Sequence, residues 1–177
     1  VLWYGAAFAA HPLITDDTGT QGTGKFQIEI NGEYGHEEED ELTEEVTELA
    51  TTLSYGINES TDIVLGIPYQ YVRTKDSEET VDEDGLSDMS IETKWRFYEK
   101  DGLSFALKPG VTLPSGDEEK GLGNGRASYG LVFITTKEAA PLTFHFNLGY
   151  THNEYKLEAD DDTNRKNIWH VSLASEI

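Results

Sequence analysis

The sequence contains no cysteine and few basic residues, and these two absences exclude several classes of protein. Among its 177 residues there are 13 lysines and arginines against 34 aspartates and glutamates, which gives a formal net charge of −21. Without cysteine the chain forms neither a disulfide scaffold nor a thiolate metal site. A chain this acidic also lacks the positive surface that binding to a nucleic-acid backbone requires. We therefore expect no nucleic acid among its partners.

Long hydrophobic runs are also missing. A transmembrane helix needs about 20 consecutive apolar residues, and the longest run, residues 1–10, is about half that length. Residues 1–9 read VLWYGAAFA, which is typical of the end of a secretory signal peptide with a small-x-small cleavage site. We expect residues 1–9 to be a residual signal peptide, with a short buried strand as the alternative, and residues 10–24 to be a periplasmic segment.

The chain does contain a series of segments in which apolar and polar residues alternate. From residue 25 onward there are eight of them, and the first places Phe26, Ile28 and Ile30 on one face. This two-residue period predicts β-strands. Most of the segments are about 9–12 residues long, whereas soluble strands are usually about 5–6 and membrane-spanning strands need about 9–11. The segment at 127–136 is apolar on both faces, so its orientation stays open.

The connections between these segments alternate in length. Short ones occupy residues 58–61, 99–102 and 137–141, and long ones occupy residues 35–44, 73–85, 114–126 and 153–166. The long connections hold 20 of the 34 acidic residues. Short turns at one end and long loops at the other are typical of outer-membrane barrels, whose lipid-facing positions exclude charge.

Aromatic residues gather at both ends of the apolar faces, as expected where a barrel meets two membrane interfaces. The predicted girdle residues are Tyr55, Trp95 and Phe97 near the short turns, and Tyr34, Tyr69, Tyr71, Tyr150 and Trp169 near the long loops. We predict an all-β fold over residues 25–177, an antiparallel up-and-down transmembrane β-barrel. A soluble sandwich or a lipocalin-like barrel with its apolar face inward is the alternative. Pro68 and Pro109 count mildly against regular ladders in either fold.

Three stretches carry a family resemblance. They read HPLITDDTGTQGTGKFQIE at 11–29, GLSDMSIETKWRF at 85–97 and KPGVTLPSGD at 108–117. Together they resemble a bacterial family named for the meta-pathway of phenol degradation, whose members are outer-membrane proteins often described as transporters. The resemblance implies an outer-membrane β-barrel in a bacterial cell that passes small organic compounds, including aromatic ones. It carries no catalytic residues over to this chain.

The resemblance also implies a longer protein. Outer-membrane barrels usually end in an aromatic residue, whereas this sequence ends in Ala174-Ser-Glu-Ile177. We therefore expect the eight visible strands to be part of a barrel of about 12, since eight strands close around a side-chain-filled interior. A non-transporting structural or surface-interaction barrel, with outward acidic loops, is the second hypothesis.

The faces opposite the apolar ones would line the lumen of such a barrel. The lumen-lining candidates are Asp88, Glu92, Lys94, Arg96, Lys108, His145, Asn147 and His170. Charges of both signs in a lumen form either a plug of ion pairs or a selectivity constriction. The sequence leaves both interpretations open.

Catalytic and metal-binding motifs are weak. Ser, His and Asn are present without a local hydrolase motif, so we predict no enzyme and no cofactor. Asp160, Asp162 and Asn164 have the spacing of a calcium loop, but Arg165 replaces its glycine and Val171 its bidentate glutamate. We therefore predict no metal site, and divalent cations on the acidic loops stay a weakly supported alternative. The predicted partners are outer-membrane lipid and a small-molecule substrate.

Overall fold

The fold is one strongly curled antiparallel β-sheet. A computed structural model of the chain describes residues 15–39, 42–75 and 80–177, so the predicted signal peptide lies outside the described residues. The strands are β1 (Phe26–Glu39), β2 (Leu42–Asn58), β3 (Thr61–Lys75), β4 (Thr80–Leu86), β5 (Ser90–Lys100), β6 (Leu103–Thr112), β7 (Ser128–Ala139), β8 (Leu142–His152) and β9 (Asn167–Glu176). None of the helices in this part of the chain is long and apolar enough to cross a membrane.

Strands that follow one another in sequence are neighbours in the sheet. The order is β1-β2-β3-β5-β6-β7-β8-β9, and β4 pairs with the second half of β3. All pairings are antiparallel, which confirms the predicted all-β antiparallel architecture. The sheet curls into a half-barrel, and within the described residues β1 and β9 are edges that do not pair with each other.

The prediction of long loops is wrong for two of the four stretches. Residues 35–44 and 73–85 were expected to be connections, but β1 continues to Glu39, β2 begins at Leu42, β3 continues to Lys75, and β4 fills much of the second stretch. Acidic residues suggested loops, yet a strand tolerates exposed charges when its neighbours offer partners. Arg73 of β3 faces Asp82 of β4 and pairs with it at 2.7 Å. The sheet therefore has nine strands rather than eight.

The break between β4 and β5 lies opposite a proline. Residues 87–89 separate the two strands, and the N–H of Ser87 donates to the carbonyl of Pro68 at 2.9 Å. Because the carbonyl and amide of one strand residue point to the same neighbour, the ladder bond that Pro68 cannot donate would fall at this break. Pro68 therefore fits into β3 because the neighbouring strand is interrupted where Pro68 lacks an N–H to donate.

The predicted short connections are confirmed as tight turns, while the two remaining long ones contain helical turns. In the β5–β6 turn, Asp101 and Gly102 both have positive φ, 52° and 69°, which is the conformation of the hairpin turn that Asp-Gly favours. The connection at 114–126 contains a 3₁₀ turn, Glu118–Lys120, and that at 153–166 contains the helix α1, Glu158–Thr163.

The two faces of the sheet differ in polarity. The inner, concave face buries polar side chains together with Val64, Ala106 and Ile134. The outer face exposes large apolar side chains, and Ile30 is 65% exposed. The sequence left open the orientation of the segment at 127–136. Ile134 is fully buried, so this residue faces inward.

Candidate functional site

Residues 15–25, here called the inner segment, run along the concave face before β1 begins. Its residues hydrogen-bond to side chains on five different strands, namely Asp62 on β3, Lys94 on β5, Ser104 on β6, Thr136 on β7 and Asn147 on β8. A segment this short reaches five consecutive strands because the sheet curls around it. The inner segment therefore fills part of the concavity.

A carboxylate of the inner segment lies between two lysines of the sheet. The Nζ atom of Lys94 is 2.8 Å from Asp16 Oδ1, and the Nζ atom of Lys108 is 3.3 Å from Asp16 Oδ2. Lys94 also lies 3.6 Å from Asp17, and Lys108 lies 3.0 Å from Glu92. Each oxygen of the Asp16 carboxylate thus has its own ammonium group.

The backbone of Asp16 is fixed by an asparagine. The N–H of Asp16 donates to Asn147 Oδ1 at 2.6 Å, and Asn147 Nδ2 donates to the carbonyl oxygen of Asp16 at 2.8 Å. A side-chain amide that pairs with both groups of one residue imitates a β-ladder partner. Asn147 is almost fully buried, so these bonds orient Asp16 toward the two lysines.

These contacts set the ionisation of Asp16. Burial acts to raise its pKa, but the charges of Lys94 and Lys108 and their hydrogen bonds outweigh that effect. The pKa of Asp16 therefore lies below the ordinary value for aspartate. At neutral pH the group is a carboxylate held by two ammonium ions.

Hydroxyl groups of the sheet also contact the inner segment two residues after Asp16, at Thr18. The N–H of Thr18 donates to Thr136 Oγ1 at 3.1 Å, and the Thr18 and Ser104 hydroxyls are 2.5 Å apart. His145 Nδ1 lies 3.0 Å from the same Thr136 hydroxyl, and its Nε2 lies 3.4 Å from a carboxylate oxygen of Glu176. His145 is therefore part of a buried hydrogen-bonded chain that supports the inner segment.

The inner segment ends beside the β2–β3 turn. The N–H of Gln21 donates to both oxygens of Asp62, at 3.2 and 3.0 Å. The backbone of Gly22 passes so close to Gly56 that a Cβ atom on Gly56 would collide with it. Thr23 donates its N–H and hydroxyl to Glu59, and these bonds lower the pKa of that glutamate. The segment therefore occupies the half of the concavity nearest the short turns.

The other half of the concave face holds a cavity of about 620 Å³. Its wall includes Glu48, Gln70, Asp88, Thr112, Leu122 and Asn124. Asp88 accepts hydrogen bonds from the N–H groups of Gly116 and Asn124, at 2.9 and 2.8 Å, and so ties the 114–126 connection to the inner face. A smaller cavity of about 100 Å³ lies beside Glu92 and Lys108 and shares Thr112 as a wall residue. The large cavity thus lies toward the long-loop end, and the small one lies beside Lys108.

The structure brings together four of the eight lumen-lining candidates. Glu92, Lys94, Lys108 and Asn147 surround the inner segment near Asp16, and His145 supports it through Thr136. Arg96 lies nearer the short turns, where it pairs with Glu99 at 3.1 Å and donates to the carbonyl of Glu59. Asp88 lines the large cavity, and His170 is exposed on β9.

Sequence reasoning missed Asp16, Thr18 and Asp62. Asp16 stands in a polar, glycine-rich stretch that was expected to be a periplasmic segment, and no periodicity marks a segment that folds back onto a sheet. Asp62 begins a strand beside a short turn, where a carboxylate is usually solvated. The pairing of both groups depends on contacts between distant parts of the chain.

The predicted girdle residues all lie on the outer face. Near the short turns, Trp95 and Phe97 have ring centroids 5.7 Å apart, and Phe105 extends this row. Near the long loops, the Tyr150 and Trp169 rings are 4.9 Å apart. The other four are Tyr34, Tyr55, Tyr69 and Tyr71, of which Tyr34, Tyr69 and Tyr71 donate hydroxyl hydrogen bonds to carboxylates of the same face. Their role at a membrane interface stays a prediction.

Among the described residues, no group of three or more His, Asp or Glu side chains is arranged to hold a metal ion. In the calcium-like stretch, Asp160 and Asn164 line the large cavity instead, and Asp160 accepts the N–H of Asn164 through its backbone carbonyl. Cations bound to the acidic loops stay a prediction that no described contact tests.

The geometry defines a class of protein: a curled antiparallel sheet with a polar, plugged interior and an apolar exterior. The chain belongs to the family described as "Putative MetA-pathway of phenol degradation", whose family model matches residues 9–177. This match confirms the family resemblance of the stretches at 11–29, 85–97 and 108–117. A search of curated proteins finds no match to the chain.

Proposed function

We propose that this protein is an outer-membrane β-barrel of a bacterial cell that passes small organic molecules, including aromatic ones. The observation that carries the proposal is the polarity of the sheet. Its outer face exposes Phe26, Ile28, Ile30, Leu49, Ile91, Leu131, Phe146, Leu148, Val171 and Leu173, whereas a soluble monomer rarely exposes an apolar patch beyond a few hundred Å². Lipid is the solvent that stabilises such a face, and outer-membrane lipid is the proposed partner.

The contents of the concavity support a barrel of more than eight strands. A closed eight-stranded barrel is filled by its own side chains, whereas the concave side of this sheet also holds the inner segment and an open cavity of about 620 Å³. Lipid also requires that the open edges of β1 and β9 be paired, because unpaired backbone groups there cost several kcal/mol each. We therefore propose an up-and-down barrel of about 12 strands in the full-length protein.

The polarity of the sheet argues against a lipocalin-like binder. Such a barrel turns its apolar face inward, whereas the inner face here buries Lys94, Asp62 and Asn147. We propose no catalytic role and no cofactor, since the contacts of the inner face are ion pairs and hydrogen bonds between the segment and the sheet. The family name, which concerns phenol degradation, favours aromatic solutes.

One observation favours the second hypothesis, a barrel that does not transport. The inner segment occupies the short-turn half of the concavity with ion pairs and hydrogen bonds. A permanently docked segment would leave a structural barrel whose acidic loops meet cations or a partner. Transport requires that the segment move or that a path pass beside it.

Two measurements test the proposal. First, full-length protein is fractionated without detergent; recovery in the membrane fraction is expected, and recovery in the aqueous fraction would refute the membrane barrel. Second, the protein is reconstituted in liposomes and swelling is followed with phenol and with sugars of increasing size. Solute-dependent swelling supports a channel, while membrane insertion without any flux would support the non-transporting barrel.

A further inference from the structure

We infer that Lys94 and Lys108 form a binding site for a small organic carboxylate, and that Asp16 occupies this site in the docked state. The inference rests on the proposed function, because it names the class of solute that the inner face would recognise. The site is defined by the carboxylate already present, with one ammonium group on each oxygen at 2.8 and 3.3 Å. A carboxylate-bearing ligand would present the same two oxygens to the same two groups.

The pair of lysines is unusual for its surroundings. The chain has 13 basic residues against 34 acidic ones, yet Lys94 is 8% exposed on the inner face. A buried ammonium group requires an anionic partner. Lys94 contacts the carboxylates of Asp16 and Asp17, and both belong to the inner segment. When that segment leaves, Lys94 loses both of these partners, whereas Lys108 keeps Glu92.

The contacts of the inner segment make its release feasible. Residues 15–25 read TDDTGTQGTGK and include no apolar side chain beyond threonine methyl groups. The segment is therefore held by hydrogen bonds and ion pairs, whose net contributions are small because water and other anions compete for the same groups. A ligand carboxylate that binds both lysines replaces the strongest of these contacts.

Two neighbouring cavities lie on the long-loop side of the site. The large cavity and the small one share Thr112, and Glu92 and Lys108 line the small one. Gly110 of β6 is paired with Gly130 of β7, and both line the small cavity. A Cβ on Gly110 would lie 2.8 Å from the Glu92 side chain. The absence of a side chain at Gly110 thus lets the Glu92 side chain lie over β6, where it contacts the Lys108 ammonium group beside the small cavity.

The first test measures release of the inner segment by the ligand. Because the chain has no cysteine, a Thr18→Cys variant of the full chain in detergent carries a single thiol, at a position that is 3% exposed. Benzoate is expected to accelerate maleimide labelling at least fivefold, while benzamide, its neutral analogue, and chloride at equal ionic strength leave the rate unchanged. Thr23→Cys, at an exposed position of the same segment, is the control and should label quickly with or without benzoate.

The second test measures binding directly. Fluorine NMR of 4-fluorobenzoate is recorded with the wild type, with Asp16→Ala and with Asp16→Ala combined with Lys94→Met and Lys108→Met. Asp16→Ala removes the competing carboxylate and keeps the backbone bonds to Asn147, so binding is expected to tighten at least tenfold and to disappear in the triple variant. Equal affinity of the wild type and Asp16→Ala, or equal labelling with benzoate and benzamide, would overturn the inference.

Neither test requires transport, so failure of the carboxylate site can be distinguished from failure of the proposed channel. Benzoate binding without flux in liposomes would defeat the channel and leave the carboxylate site. Flux of phenol and sugars without any effect of Asp16→Ala on benzoate binding would leave the channel and defeat the site.

Discussion

The inner and outer faces of the sheet are made by the same strands but differ in polarity and in the contacts of their side chains. On the outer face, Ile30 and its apolar neighbours are exposed and have no polar group to pair; the proposed contact with lipid would require only that charge be absent there. On the inner face, buried Lys94, Asp62 and Asn147 each have a named partner at 2.6–3.2 Å. The buried polar contacts therefore lie inside, where the inner segment supplies many of them, whereas the polar contacts of the outer face, such as Arg73–Asp82, are exposed.

The largest expected effect tests the outer face. Ile30→Lys places a charge within the apolar band of β1, and in a bilayer we expect a cost of about 2–4 kcal/mol in the free energy of unfolding. Asn31→Lys is the matched control, because Asn31 is the next residue on β1, is also exposed and belongs to the inner face. Unfolding in urea with protein in lipid vesicles measures both. Equal stability of the two variants would contradict a lipid-facing outer surface.

The next effect tests the lysine site. Lys94→Met leaves Asp16 paired with Lys108 alone, and we expect a loss of about 1.5–3 kcal/mol, the range for hydrogen bonds to charged groups. Lys100→Met makes the same chemical change at an exposed position near the β5–β6 turn and should change stability by less than about 0.5 kcal/mol. Urea unfolding of both variants gives the comparison. A Lys94→Met variant as stable as the wild type would show that the inner contacts contribute little.

Measuring stability as a function of pH tests the contribution of the Asp16 carboxylate to the inner contacts. Because the pKa of Asp16 is lowered in the docked state, its stabilising contribution is complete above the ordinary aspartate value of about 3.9 and is lost as the pH falls through the lowered value. The charged groups around it are Asp17 on its own segment, Asp62 on β3, Glu92 and Lys94 on β5, and Lys108 on β6. The difference in unfolding free energy between the wild type and Asp16→Asn should be constant from pH 7 to about 5 and should shrink below about 4. A difference that grows on acidification would contradict the ion-pair assignment.

The smallest effect tests an outer ion pair. Arg73 and Asp82 lie 2.7 Å apart on extended parts of β3 and β4, but both side chains are nearly half exposed. Asp82→Asn should therefore cost at most about 1 kcal/mol, and 0.5 M salt should remove most of that cost. A loss as large as that of Lys94→Met would remove the distinction between the inner and outer contacts.

The sequence predicted the strands well, because their alternation is a local property. Phe26, Ile28 and Ile30 lie on one face as expected, and the Asp101-Gly102 turn joins β5 to β6. The strand ends near Glu39 and Thr80 were missed, since exposed acidic residues in a strand look the same in sequence as those in a loop. The site was predicted in part: Lys94 and Lys108 were identified as inward-facing, but their partner Asp16 was not, because no local pattern reports a contact between residues 78 positions apart.

The contacts of the inner segment have a consequence for the order of folding. Each strand pairs with one that is close to it in sequence, so the sheet can grow hairpin by hairpin. Asp16, in contrast, bonds to Asn147 across 131 positions, and Thr18 bonds to Thr136 across 118. The inner segment therefore finds its complete set of partners only after β8 has joined the sheet. Docking of the inner segment is therefore expected late, after β3 and β5 to β8 of the described sheet have come together.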